Sequence, residues 1–146
     1  NFKGRVAPGQ KNDDFVFTCD LPVTMLDAAG LKFTQNRVDG RTLLDLAEHR
    51  EGVPAWRDSL MCETYGHGYG LTLLGRMVVK GHYKYVCFEG DRDELYDLEK
   101  DPYEMTNLAC LPEYDGLKAE MRGELRKRMA ESCDPVPLER LLPPQG

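Results

Sequence analysis

Residues 76–108 read RMVVKGHYKYVCFEGDRDELYDLEKDPYEMTNL. Two apolar, β-branched and aromatic runs flank Gly81-His82, and a Gly-X pair is what a two-residue type II′ hairpin needs, because only Gly takes positive φ there at little cost. Strands are therefore predicted over Leu73 to Lys80 and Tyr83 to Phe88, with a further one over Glu94 to Leu98. Side chains alternate along a strand, so Tyr83, Tyr85 and Cys87 share one face and Lys84, Val86 and Phe88 the other. Such a meander needs a cover. The segment Tyr114 to Ser132 supplies it, since Leu117, Met121, Leu125 and Met129 recur every four residues on one helical stripe. Glu124 and Arg128 form an i,i+4 pair expected on its outer side. Asp134-Pro135 stops the helix.

Upstream, Leu60 to Thr64 reads as another strand, and a loop with Gly66, Gly68 and Gly70 around His67 follows. The first third differs. Residues 1–14 are loop-like, and Phe15-Val16-Phe17 is a short apolar strand. Asp20 is expected to N-cap a short helix with Pro22 in its first turn and Gly30 at its end. Asp39-Gly40 is a turn signal, and Thr42 to His49 a second short helix with Leu43, Leu44, Leu46 and Ala47 inward. Gly52 and Pro54 place a boundary near 50–58. The tail after Asp134, with Pro137, Pro143 and Pro144, favours no regular element. The expected units are thus 1–58, 59–133 and 134–146.

At 146 residues the chain is one domain or one and a half. Twenty-five acids against 19 bases give a net charge of −6, a balance that repels nucleic acid and anionic lipid. No apolar run approaches the ~18 residues of a membrane helix. The first residue is Asn1 in a loop-like stretch, so the chain is expected to start inside a longer protein. Five cysteines, an odd number, include no CxxC pair. Cys62 and Cys87 both fall in strands and could be neighbours, but buried free thiols are the favoured expectation.

The chain also resembles the sulfatase family. The resemblance is carried by CDLPVTMLDAAGL (19–31), VDGRTLLDL (38–46), CETYGHGYG (62–70), GRMVVKGHYKYV (75–86) and DELYDLEKDPYEMTNLA (93–109), in the family's order and over about residues 6–133. Leu95-Tyr96-Asp97-Leu98-Glu99-x-Asp101-Pro102-x-Glu104-x-x-Asn107-Leu108 is the most specific piece. The Asp20-to-Thr24 stretch is one residue longer than the family's usual form. The resemblance implies an α+β fold: a small antiparallel sheet of about four strands packed against a long C-terminal helix. Residues 1–58 would then be the last strand and short helices of an alkaline-phosphatase-like α/β core, and 59–133 the C-terminal subdomain.

The family's chemistry implies a formylglycine nucleophile made from a Cys/Ser-x-Pro-x-Arg motif and a calcium ion held by carboxylate and amide oxygens. Cys110-Leu111-Pro112-Glu113-Tyr114 has Tyr where Arg is required, and Cys133 to Pro137 has Pro there. Asp13-Asp14 follows a polar loop and not an apolar strand, and reads as surface. No catalytic or metal-binding residue is therefore assigned. Formylglycine and Ca2+ are expected in a parent enzyme and neither is expected on this chain.

What remains is substrate contact. His67, on its glycine loop, is the leading candidate for a hydrogen bond to a substrate hydroxyl, carboxylate or sulfate oxygen. Glu63 and Arg76 are weaker ones. His82 reads as the second turn residue and His49 as an exposed helix end. Asp101-Pro102 and Asn107 look structural, and Tyr83, Tyr85 and Tyr96 read as sheet packing under the helix. The expected partners are the remainder of a sulfatase chain and a sulfated small molecule or glycan. A phosphonate or phosphate monoester hydrolase of the same superfamily, or a stand-alone interaction module, are the alternatives.

Overall fold

The computed structural model describes residues 4–32, 34, 38–66 and 74–141. The chain divides into two compact units, Asn1–Arg57 and Asp58–Gly146.

The second unit holds a four-stranded antiparallel sheet in sequence order: β1 (Ser59–Thr64), β2 (Gly75–Lys80), β3 (Tyr83–Phe88) and β4 (Glu94–Asp97). The expected hairpin closes β2 on β3, with Lys80 opposite Tyr83 and Gly81 at φ +57°. Positive φ at the first turn residue alone fits the II′ geometry. Helix α3 (Asp115–Ser132) follows two 3-10 turns, Leu108–Cys110 and Pro112–Tyr114. Met121, Leu125 and Met129 are buried against Val78, Tyr85, Cys87 and Leu95, with Leu117 packed at the margin. Each such side chain contributes about 1.5–3 kcal/mol through burial. This is the α+β architecture the sequence predicts.

The sheet's other face carries Met77, Val79, Val86, Phe88 and Tyr96. Gly75 is required on it: a Cβ there would sit 2.5 Å from the Phe88 ring and 2.8 Å from Thr64 Cγ2. Tyr96 belongs to this face and not under the helix, because the register sets it opposite Lys84, whose ammonium lies 6.0 Å from its ring centroid. Only Tyr83 and Tyr85 face α3. Cys62 and Cys87 are not neighbours either. Cys62 pairs with Met77 on the open face, while Cys87 pairs with Arg76 toward the helix. All five cysteines are free, but Cys87 alone is buried, and burial pushes its thiol up to about 11.

The motif after β4 explains itself in hydrogen bonds. Asp97 Oδ1 accepts the amides of Glu99 and Lys100, and Asp101 Oδ2 accepts that of Thr106. Asn107 Oδ1 accepts from Ala109, capping the first 3-10 turn, and from Leu95 in β4, while its amide donates to the Asp93 carbonyl. Glu124 corrects the expectation of an outer pair. It does meet Arg128, at 2.9 Å, but it is buried against the sheet, where Ser59 Oγ donates to it at 2.7 Å. The tail contains a short helix, α4 (Leu138–Leu141), between the prolines.

The first unit has two short helices, α1 (Asp20–Ala28) and α2 (Leu44–Ala47), and no assigned strand among its described residues. Phe15–Phe17 has no ladder partner among the described residues, and a strand needs one. The second helix is half its predicted length. Asp20 is not an N-cap, since that position is Cys19; it is the first helical residue and fully buried. Arg57 reaches it with Nη1 at 2.6 Å and Nη2 at 2.9 Å, and the amides of Phe17 and Arg41 donate to it at 2.7 and 2.8 Å. Burial alone would raise its pKa, but these donors hold the carboxyl below its usual range. Gly40 packs on the Cys19 carbonyl, where a Cβ would lie 2.1 Å from the oxygen. Arg41 stacks on Trp56 at 4.3 Å and caps the carbonyls of Pro54 and Ala55. Asp20-to-Thr24 and Val38-to-Leu46 are thus one interlocked structure.

Candidate functional site

Antiparallel register places Glu63, near the end of β1, opposite Arg76, near the start of β2. Both side chains emerge on the helix side of the sheet. Arg76 is buried, and a guanidinium cannot shed its charge there, so it requires a carboxylate. Helix α3 delivers one. Its C-cap Cys133 takes the left-handed conformation (φ 55°), the next amide returns to the Met129 carbonyl, and the chain turns so that Asp134 meets Arg76.

The pair is bidentate, with Nε to Oδ2 at 2.6 Å and Nη2 to Oδ1 at 2.8 Å. Arg76 Nη1 donates to the carbonyls of Gly75 (2.7 Å) and Thr64 (3.4 Å), and Nη2 donates also to the Tyr65 hydroxyl (3.2 Å). A guanidinium has five N–H donors, and these contacts use all five. The Tyr65 ring lies under the same group at 4.9 Å. The hydrogen bond from Arg76 holds the Asp134 carboxyl below its ordinary range, against an opposing effect of burial, and the same bond raises Arg76.

Glu63 differs. Its side chain is about one-third exposed and accepts the Tyr65 hydroxyl at 3.2 Å, with Arg76 Nη2 at 3.8 Å. On the sheet's other face, away from the side chains of Glu63 and Arg76, lies an open cleft of about 300 Å³ with Cys62, Thr64, Met77, Lys84, Phe88 and Glu94 in its lining. Of the three sequence candidates, then, the fold brings Glu63 and Arg76 together, one open and one fully committed. His67 lies outside the described residues. Tyr65 and Asp134 were missed by sequence reasoning. The available signal was Arg76 itself: a lone cation among strand apolars needs a buried carboxylate, and Asp134 was read only as a helix stop.

A second cleft, of about 350 Å³, lies in the first unit, with Val6, Val16, Leu43, Leu46, Ala47 and His49 in its lining. Asp13 and Asp14 are exposed, and Asn12 Oδ1 accepts the Asp14 amide. Among the described residues one group of potential metal ligands converges, His82, Asp97 and Glu99, with ligand atoms within 4.8 Å. Asp97 is already bound to Lys100 Nζ at 2.8 Å and to two turn amides. Cys110 and Pro112 occupy successive 3-10 turns, and Tyr114 stands where the motif needs an arginine. The described residues therefore fit neither a calcium centre nor a formylglycine site. No helix among them is long and apolar enough to cross a membrane.

Comparison with known proteins identifies the family. Residues 1–131 match the family described as N-sulphoglucosamine sulphohydrolase, C-terminal. An uncharacterized protein of Haemophilus influenzae is 31% identical over 127 residues, covering 86% of this chain and 62% of its own length. The Delta 4,5-hexuronate-2-O-sulfatase of Bacteroides thetaiotaomicron is 33% identical over 120 residues, covering 80% of this chain and 24% of the enzyme. A solved structure in complex with its substrate D-glucosamine-2-N,6-O-disulfate superposes with a TM-score of 0.69 at 26% identity, over 83% of this chain and 25% of that one. The chain thus spans about a quarter of the length of these two larger proteins. Matched along nearly its whole length in sequence, and in its sheet-and-helix fold, it belongs to the sulfatases, in the C-terminal family of N-sulphoglucosamine sulphohydrolase.

Proposed function

We propose that this chain is the C-terminal part of a sulfatase that hydrolyses sulfate monoesters of sugars, and that it supplies scaffold and one wall of the substrate pocket. In this reading residues 1–58 complete the enzyme's large α/β domain, and the nucleophile and calcium ligands belong to polypeptide outside the chain. Formylglycine would supply the nucleophile and calcium would hold the sulfate oxygens. This chain's own residues bind and orient the rest of the substrate. His67 and Glu63 are the contact residues, and Arg76 acts from behind them, because its donors are spent on Asp134, Tyr65 and two backbone carbonyls.

The observation that carries the reading is the family match over residues 1–131 in a chain whose described residues fit neither catalytic group. The sugar class rests on the relatives' own substrates. Purified 1–146 is expected to leave 4-methylumbelliferyl sulfate and the corresponding phosphate intact, with or without Ca2+, while the full-length protein cleaves the sulfate. Turnover by the chain alone, above a mock preparation, sinks the proposal.

A further inference from the structure

We infer that residues 134–141 form a strap that positions the connection between β1 and β2, which carries His67, by holding both of its ends. This rests on the pocket-wall reading above and extends it to residues beyond the family match, which covers 1–131.

At the entry to the connection the strap acts through a buried charge. Asp134 takes the Arg76 guanidinium in its bidentate pair at 2.6 and 2.8 Å, which fixes the guanidinium plane. Asp134 Oδ1 also accepts the Val136 amide at 2.9 Å, so one carboxylate sets the course of the strap and the arginine together. Arg76 passes the hold to the Thr64 carbonyl at 3.4 Å and the Tyr65 hydroxyl at 3.2 Å, where β1 ends. At the exit the strap acts through Glu89. Arg140 in α4 pairs with both Glu89 oxygens, Nε to Oε1 and Nη2 to Oε2, the latter at 3.0 Å, and the Glu89 amide donates at 2.8 Å to the carbonyl of Leu74, the residue before β2. Between the two charge pairs, Val136 and Leu141 are buried in the same core as Leu74. Apolar burial keeps the strap on the sheet, and the charge pairs fix where it lies.

The connection includes Gly66, Gly68 and Gly70, and glycine has the most conformational freedom to lose on ordering. Fixing the ends in advance reduces that cost when a ligand binds, so the strap's contribution belongs in KM and not in kcat. Asp134 and Arg140 are positioning residues; neither is placed in contact with substrate.

The test uses the full-length protein. Arg140→Glu sets like charges against Glu89 and leaves the buried strap residues in place, while Glu89→Arg combined with Arg140→Glu restores the pair in reverse. Hydrogen exchange by mass spectrometry is followed in peptides over 60–66, 74–78 and 94–97. KM and kcat are measured on the best of a panel of sulfated heparin-derived disaccharides. An exposed ion pair shifts such equilibria by up to about fivefold. Arg140→Glu is therefore expected to speed exchange in 74–78 about three- to fivefold with 94–97 unchanged, and to raise KM by a similar factor at constant kcat. The reversed pair should bring both back. Asp134→Asn, where it folds, should speed exchange in 60–66.

Unchanged exchange in 74–78 in Arg140→Glu, or no recovery in the reversed pair, overturns the strap and leaves the pocket wall standing. Exchange that rises equally in 94–97 overturns it in favour of a purely structural role. Faster exchange confined to 74–78 with an unchanged KM, or with no turnover of any disaccharide, overturns the link to substrate together with this connection's place in the pocket wall.

Discussion

Asp20 and Asp134 are the two carboxylates on which this chain most depends, and each is tied to an arginine far away in sequence, Arg57 and Arg76. Removing one partner of such a buried pair strands the other's charge, so Asp134→Ala should cost about 3–5 kcal/mol in urea unfolding of the second unit. Both carboxyls titrate below their ordinary values in the fold. A depressed carboxyl stabilises the folded state fully above its unfolded pKa, near ~4, and loses that contribution as pH falls through the folded value. The urea midpoint should therefore hold from neutrality to about pH 5 and fall steeply below about pH 4. Asp134→Asn should flatten that acid limb for the second unit; an unchanged limb would show that the pair does not govern it. None of this was legible in the sequence. Asp20 looked like a helix cap because Asp before an apolar run usually is one, and two of its partners, Arg41 and Arg57, lie 21 and 37 residues away. Gly75 is similar. Its need for a bare Cα follows from a Phe88 ring lying across the neighbouring strand, so Gly75→Ala should cost about 1–3 kcal/mol, and Phe88→Leu should recover part of it.

Among elements, the sheet and helix α3 were legible because their periods are unambiguous. Alternation over Tyr83–Phe88, a Gly-X turn and a four-residue stripe on α3 leave few other arrangements. What failed was phase. Tyr96 lies on the open face because the connection from Glu89 to Asp93 sets the register of β4, and nothing in that polar stretch reveals how many residues it absorbs. Glu124 failed for a related reason: i,i+4 spacing shows which residues meet, not which way the pair leans, and Ser59 on the sheet's edge decides that. The Asp-Pro motif was read correctly as structural, and its key residue is Asn107, which joins a 3-10 turn to β4 with one side chain. Asn107→Ala removes an acceptor shared by two amides. It should destabilise the second unit by about 1–3 kcal/mol and speed hydrogen exchange at Leu95 and Ala109 ahead of the rest of the sheet.

For the molecule as a whole, the two units differ in what they can hold together alone. The second has a continuous core running from Leu74 to Leu141 between a sheet and a five-turn helix. Helices as short as α1 and α2 need tertiary support, and the described buried hydrophobics of the first unit reduce to Leu44. Expressed separately, 58–146 should unfold cooperatively with the circular dichroism of mixed sheet and helix, and 1–57 should give the poorly dispersed amide spectrum of an unfolded chain. A well-dispersed spectrum from 1–57 would mean that the Asp20–Arg57 and Arg41–Trp56 contacts suffice. The sequence pointed to the family through motifs spread over both parts. It named Glu63 and Arg76 but not Asp134, because spacing alone does not show which carboxylate, 58 positions away, meets a buried arginine. Four of the five thiols open to solvent also have a practical bearing. Left without reductant, the purified chain should build a ladder of covalently linked species on a non-reducing gel, and peptide mapping should find every cysteine among the crosslinks except Cys87.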